Sequence, residues 1–315
     1  MALLWSTPGS APAERSRRRH LRWWAAIQRN AECGRVRIEI AIESDLDIAP
    51  MYLVNRLAEA WRETGHTVRV RSLSEPSRGP DVALLHVDRS VIPRSVVARL
   101  GYECPLVNGD VLDITKRRVS RQLVTRRDGY DDQVIVKTND NYFGLPERWR
   151  TPQPGRVRRL LGRAARRVFP SHDRSFVEKE YPIYPHPGAV PPWVWRSRRY
   201  VVERFTPERD GEFFVLRNWL FLGDREVSII CWSRAPIVKA TNVERYEFEG
   251  SVPEELRTVR RELGFEYGKF DWVLANGKPV LLDGNRTPTV QQRTDRLPGV
   301  VADLARGIEC FPRHG

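Results

Sequence analysis

Apolar residues recur along this chain at two spacings, and the switches between them mark out its elements. Residues 35–42 (GRVRIEIA) alternate apolar and polar, the period of a strand. Residues 50–65 (PMYLVNRLAEAWRETG) put apolar side chains at helical spacing and end on Gly65, a helix stop. Strand-like residues 67–71 and the apolar run 81–87 (DVALLHV) follow. Residues 113–124 (DITKRRVSRQLV) predict a helix with Asp113 as its N-cap, and 133–137 (QVIVK) a strand ending on lysine. Residues 156–168 set Val157, Leu160, Leu161, Ala164, Ala165 and Val168 on one helical face with arginines opposite. Residues 181–193 hold five prolines without a period and read as a loop; 200–205 (YVVERF) read as a strand. Two hairpins are predicted, 213–222 with 226–232 around Gly223-Asp224, and 270–275 with 278–283 around Asn276-Gly277. Between them a helix over 253–264 stops on Gly264.

The β-α-β-β order of the first third resembles a small Rossmann-like α/β unit. It carries no G-x-G-x-x-G, so a dinucleotide is not expected by that route. His86 and Asp88 fall at a strand end, where α/β folds place ligand contacts, although a capping Asp beside a core His reads equally well. The length of 315 residues and 41% apolar content support a real core divided among two or three packed subdomains. No stretch approaches about 18 uninterrupted apolar residues, so no membrane-spanning helix is expected.

Charge changes the picture next. The net charge is +13, which by itself points to an anionic partner such as nucleic acid, a membrane surface or phosphates. Residues 1–34 contribute +4 and residues 147–169 contribute +7, so the remaining 258 residues are nearly balanced. The excess is a basic arm, expected to be disordered, and a basic insert whose arginines form a solvated helix face. Trp193 and Trp195 beside Arg196, Arg198 and Arg199 read as edges of a core loop rather than as base-stacking platforms. Only six of 53 basic residues are lysine (116, 137, 179, 239, 269 and 278), so a lysine kept against that bias marks a position where a mechanism needs it. The four cysteines show no metal or disulfide spacing, which fits a reducing cytoplasm. The arginine run near the N-terminus lacks the apolar segment of an export signal.

Candidate chemistry concentrates in residues 268–289 (GKFDWVLANGKPVLLDGNRTPT). Asp271 lies on one predicted strand, Asp283 on its hairpin partner and Asn285 two residues on, three hard oxygen donors suited to Mg²⁺. A two-residue turn at Asn276-Gly277 pairs 271 with 282 and sends the two carboxylates to opposite faces. A three-residue loop over 275–277 pairs 271 with 281 and puts Asp271, Asp283 and Asn285 on one face, so the three-residue loop is expected.

This segment resembles the metal-binding hairpin of the ATP-grasp superfamily, in which Asp and then Glu-x-Asn hold magnesium on ATP. Asp271, Asp283 and Asn285 are the matching positions, with Asp283 where the family usually has Glu. Lys137 at the end of QVIVK and Lys116 in DITKRRVSRQLV resemble the family's two phosphate-side lysines, and Thr138 to Gly144 stands where its phosphate-covering loop would be. YVVERF resembles the strand leading to the adenine hinge, which would make Val202, Glu203 and Arg204 nucleotide-binding. Arg217 and Arg286 resemble arginines aimed at the γ-phosphate or a substrate carboxylate, whereas Lys239 reads more readily as a solvated lysine than as one reaching the same site.

The resemblance implies an α/β chain, α+β in its ATP-binding part. A Rossmann-like subdomain (35–112) after the arm (1–34) leads into a two-subdomain ATP-grasp fold (113–202 and 203–315). It implies a Mg-ATP-dependent ligase, cytoplasmic, with one or two ions (Mn²⁺ as an alternative). Such an enzyme activates a small-molecule or peptide carboxylate as an acyl-phosphate for attack by an amine. Two other readings stay open: an anionic-polymer-binding protein on a degenerate ATP-grasp scaffold, and a phosphoryl transferase without ligation. Nucleic acid is not the expected partner, and association into a homo-oligomer is left open.

Overall fold

The computed structural model describes residues 35–150, 181–289 and 298–311. The predicted arm (1–34) and the amphipathic helix over 156–168 lie outside the described residues. What is described is a mixed α/β fold with one parallel sheet and two antiparallel ones.

The parallel sheet comes first. Strand β1 (Arg37–Ile42) sends Ile38, Ile40 and Ile42 into the core. Helix α1 (Leu53–Glu63) buries Leu53, Leu57 and Trp61 along one stripe, and the chain turns at Gly65 with φ 89°. Strands β2 (Thr67–Ser72) and β3 (Val82–Leu85), helix α2 (Arg94–Ala98) and strand β4 (Leu106–Val107) complete the unit, in the order β2-β1-β3-β4. β3 is buried at all four positions, as a central parallel strand must be.

The predicted helix over 113–124 is only one turn long, α3 (Lys116–Val119). Its N-cap is Thr115 and not the expected Asp113, whose carboxylate instead accepts the Thr115 amide two residues on, at 2.9 Å. Ser120 is extended at ψ 137° and its hydroxyl accepts the Gln122 amide, which ends the helix. The chain then runs along the strand Tyr200–Arg204, with the Val124 amide donating to the Val202 carbonyl. The apolar spacing is genuine, but Val119 and Val124 serve two different cores.

A small antiparallel sheet follows: β5 (Val134–Thr138), helix α4 (Leu145–Arg150), β6 (Ile183–Tyr184), helix α5 (Pro192–Arg196) and β7 (Tyr200–Arg204), in the order β6-β5-β7. The larger antiparallel sheet is built from β8 (Glu208–Asp210), β9 (Phe213–Leu222), β10 (Arg225–Ser233), β11 (Arg245–Glu249), β12 (Tyr267–Ala275) and β13 (Lys278–Asn285). Its order is β11-β10-β9-β12-β13, with β8 beside β9. Helix α6 (Glu254–Leu263) precedes β12, ending on Gly264 with φ 76°, and α7 (Pro298–Ala305) follows β13.

Both faces of the large sheet are covered, but unequally. On one face Trp219, Phe221, Phe270 and Trp272 pack with Leu256 of α6 and Phe265, mostly edge-to-face. Each such ring pair adds about 0.5–1.5 kcal/mol beyond area burial. On the other face Leu220, Leu222, Ile229 and Tyr267 meet Leu53, Leu57 and Trp61 of α1 and Leu304 of α7. The Trp61 indole N–H donates to the Ala305 carbonyl at 2.7 Å. This covering does not run the length of the strands. Along β9 and β12, the residues beyond Leu220 and Tyr267 on the same face are Asn218, Lys269 and Asp271. The polar chemistry begins where the apolar cover stops.

Candidate functional site

The β12–β13 hairpin sets the site. Its loop has two residues, not the expected three: Ala275 pairs with Lys278, and Asn276 and Gly277 take φ of 51° and 75°. These left-handed values are those of a type I′ turn, which the Asn-Gly pair favours. The expected facing of the carboxylates arises another way. The register shifts at Asp271/Trp272, so Trp272 pairs with Leu281 while Asp271 pairs with Asp283, leaving Leu282 as the extra residue of a bulge. The bulge restores the parity that a two-residue turn removes. Asp271 and Asp283 lie directly opposite each other, and Lys269 opposes Asn285 on the same face.

Three lysines from three elements meet carboxylates here. Lys116 of α3, 3% exposed, holds both oxygens of Asp283 at 2.9 Å. Lys137 of β5 reaches Glu203 of β7 at 2.7 Å. Lys269 pairs with Asp271 at 2.9 Å, and the Asn218 amide donates to the same carboxylate at 2.8 Å. Burial pulls the Lys137 ammonium down, but Glu203, then Asp283 and Asp271, outweigh it and keep its pKa raised. Lys269 behaves alike: burial lowers it, and Asp271 and Asp283 more than offset that. Lys137 and Lys269 are therefore firmly charged at neutral pH.

Four of these groups line a cleft of about 200 Å³ between the two antiparallel sheets. Lys116, Lys137, Asp271 and Asp283 occupy one end. The other walls are apolar, formed by Ile135, Phe214, Leu216, Val273 and Leu282 and by residues 236–238. An apolar slot ending in fixed ammonium and carboxylate groups is the form of a small-molecule site.

Of Val202, Glu203 and Arg204, expected as nucleotide contacts, only Arg204 lines the cleft. The Val202 side chain belongs to the core of the small sheet, and its carbonyl is taken by Val124. The Glu203 side chain, fully buried, faces Lys137. Arg204, Phe205, Thr206 and Pro207 are the residues that reach the cleft wall. Asn285 is on the site face, and its amide oxygen accepts the Thr287 amide and hydroxyl.

Neither arginine expected to be catalytic enters the cleft. Arg217 lies on the face of β9 turned away from Asp271, where it spans Glu208 and Glu249 and covers the Trp272 ring at 5.2 Å. Burial lowers its pKa but the two glutamates raise it further, the balance of a paired structural charge. Arg286, fully buried, donates to the carbonyls of Val87, Arg89 and Val111. Burial pulls it down to about 10. It stitches the end of the parallel sheet to the loop after β13.

His86 and Asp88 sit in the same buried seam. Asp88 accepts the Tyr52 hydroxyl at 2.6 Å and the Thr287 hydroxyl at 3.0 Å. His86 is fully buried, edge-on to Tyr52, and neither ring nitrogen has a hydrogen-bond partner among the described residues. Burial pulls it down to about 4 from an ordinary 6.5, with Asp47 opposing and Arg286 assisting. A base held below its unfolded pKa contributes stability above about pH 6.5 and loses it as pH falls through that window. Stability is expected to fall by about 2 kcal/mol from pH 7 to pH 5, and His86→Phe to flatten that slope in urea titrations. An unchanged slope in the variant would place the acid sensitivity elsewhere, and not at Asp88, whose burial raises its carboxyl and so favours the fold at low pH.

Sequence reasoning missed Lys269, Asn218, Tyr181 and the 205–207 and 236–238 walls. Lys269 had a signal, as one of the six lysines and two residues before Asp271. Asn218 and Tyr181 had none.

Among the described residues no helix is long and apolar enough to cross a membrane, and no three His, Cys, Asp or Glu side chains cluster as metal ligands. Two facing carboxylates still fit Mg²⁺, which takes one or two protein carboxylates and completes its shell with phosphate oxygens and water. Asp271 and Asp283 would hold it, with the Asn285 amide oxygen on the same face.

The chain is thus a mixed α/β protein whose two antiparallel sheets flank a cleft holding fixed lysines and facing carboxylates. No protein-family model and no curated protein matches the chain. Among solved structures it is similar to the D-cycloserine synthetase DcsG, at 13% identity and TM-score 0.46, over 87% of this chain and 99% of that one. It is similar to the ATP-grasp ligase PsnB complexed with minimal precursor, at 12% identity and TM-score 0.47, over 87% and 99%. It is also similar to the D-alanine–D-alanine ligase from Bacillus anthracis, at 11% identity and TM-score 0.42, over 87% and 95%.

Proposed function

We propose that the chain is an ATP-grasp ligase that uses Mg-ATP to activate a substrate carboxylate for attack by an amine or similar nucleophile. One observation carries this reading: Lys116, Lys137, Asp271 and Asp283, spread over 168 positions of sequence, line one end of a single cleft. In this reading the apolar slot takes the adenine, with the 204–207 backbone as its hinge, and the parallel sheet serves as the Rossmann-like subdomain.

The lysines do most of the electrostatic work. Lys116 and Lys137 exchange Asp283 and Glu203 for phosphate oxygens, offsetting charge that develops as the terminal phosphoryl group transfers. A Mg²⁺ ion held by Asp271 and Asp283 would supply further charge neutralisation on the phosphates. Lys269, released from Asp271, stands beside the transferring group. A carboxylate oxygen of the substrate attacks the γ-phosphorus as the bond to ADP breaks. The amine then attacks the acyl carbon and inorganic phosphate leaves. No side-chain nucleophile is needed, and Cys231 is unsuited to be one: burial pushes its thiol up to about 11.

The test is an ADP-release screen with Mg-ATP over amino acids, short peptides and acidic sugars. A ligase releases ADP and phosphate only when a carboxylate and its nucleophile are both present, and the joined product is then identified by mass. Phosphorylated carboxylate or alcohol as the final product, with no joined species, would make the chain a phosphoryl transferase instead.

A further inference from the structure

Tyr181 comes from the proline-rich stretch before β6, yet it lines the cleft with Lys116, Lys137, Asp271 and Asp283. Two contacts fix its ring. Phe143 stacks on it with centroids 4.8 Å apart and planes 22° off parallel, and the Lys239 ammonium lies 5.6 Å from its centroid. The three residues belong to three separate segments, and two of them, Tyr181 and Lys239, line the cleft.

The Phe143 contact is held at a cost. Tyr142, Phe143 and Gly144 take φ of 44°, 61° and 67°, three successive left-handed residues of which two are bulky aromatics. Each non-glycine residue there costs about 1–2 kcal/mol. The turn is pinned at its start, where the Asn141 amide donates to the Ser90 hydroxyl at 2.8 Å. Its result is to bring the Phe143 ring against Tyr181.

The Tyr181 hydroxyl makes no hydrogen bond to a described residue. Burial pushes its pKa well up, and the charges of Asp283, Glu203 and Asp271 push it further. It is a neutral hydroxyl at any physiological pH, surrounded by carboxylates that are already satisfied by lysines. What the cleft lacks is an acceptor for it.

We propose that Tyr181 is a nucleotide-contacting residue whose hydroxyl donates a hydrogen bond to the phosphate chain of ATP, with Phe143 as the positioning residue that aims it. This rests on the Mg-ATP reading of the cleft. The assignment makes the hydroxyl a discriminator between nucleotides with and without the outer phosphates, and leaves recognition of the base untouched.

Calorimetric titration of the full chain with Mg-ATP and, separately, with AMP tests it. Tyr181→Phe keeps the stack and removes only the hydroxyl. It is expected to raise the Kd for Mg-ATP about tenfold and leave that for AMP within about twofold. Phe143→Leu is expected to move the Mg-ATP value in the same direction with the hydroxyl intact, and Phe143→Tyr to restore it. Thermal melts of each variant exclude loss of fold as the cause. Equal losses for ATP and AMP, or no loss in Tyr181→Phe, would overturn the assignment. A wild-type chain that binds AMP and Mg-ATP normally while Tyr181→Phe matches it overturns this assignment alone. A wild-type chain that binds neither nucleotide overturns the reading of the cleft and this assignment with it.

Discussion

Asp283→Asn is expected to lower Mg-ATP turnover at least about a hundredfold and to destabilise the fold by about 2 kcal/mol. The two effects have separate origins. The carboxamide keeps the shape of the side chain but cannot carry the charge that both Lys116 and a magnesium ion require. Lys116 is 3% exposed, so losing its partner leaves an ammonium in poor contact with water. Breaking a fully buried pair costs about 3–5 kcal/mol; Asp283 is 26% open, which brings the figure down. A double variant, Lys116→Met with Asp283→Leu, separates the effects. Replacing both charges by apolar groups is expected to recover most of the stability in urea titrations and none of the turnover. Recovery of turnover in the double variant would remove Asp283 from the site.

Arg286→Ala is expected to cost about 3–4 kcal/mol and to lower the melting temperature by several degrees, whether or not nucleotide is present. Its guanidinium serves three carbonyls that belong to two separated stretches, 87–89 and 111. Truncation removes a donor from all three, leaving the Val87 carbonyl only the Arg89 amide, and opens a cavity in a buried region. Arg286→Lys, with a single short ammonium, is expected to recover only part of the loss. The reading of Arg286 as a substrate contact demands the opposite: a near-normal melt with a raised KM for the carboxylate. A denaturation curve on the purified variant, needing no knowledge of the substrate, decides between them.

The regular elements were largely legible, because periodicity reports burial and burial is what a sheet or helix face needs. The two hairpins, the stop at Gly264 and the strand ending on Lys137 follow from that rule. The site was legible where residue type alone carries chemistry. Asp271, Asp283, Lys116 and Lys137 are hard donors and cations that share the cleft, and Lys239 joins them in its lining. With Lys269 paired to Asp271, four of the six lysines stand at or beside the cleft in a chain that otherwise uses arginine. A compact ammonium enters a narrow slot that a planar guanidinium does not.

What escaped the sequence depends on parity and partners. The bulge at Leu282 adds one residue to β13 with no compositional mark, so the correct facing of the carboxylates was reached through the wrong loop length. Arg217 is one residue away from Asn218, which does face Asp271, and strand parity decides which of the two sees the cleft. Arg286 follows Asn285 directly, but its side chain is claimed by carbonyls from residues nearly two hundred positions earlier. The short helix at Lys116 looked long because Val119 and Val124 continue a helical spacing while belonging to different cores.

The three lysine–carboxylate pairs have a further consequence for how a ligand arrives. Each pair is a closed dipole, and dipoles cancel within a few ångströms of the mouth. To a distant polyanion these groups are silent, despite the abundance of charge, and in the Mg-ATP reading proposed above capture would proceed by exchange of partners at contact rather than by long-range attraction. The cleft thus behaves less like a magnet than like an ion-exchange resin in its resting form, already loaded with its own counter-ions and selective for whatever displaces all three together.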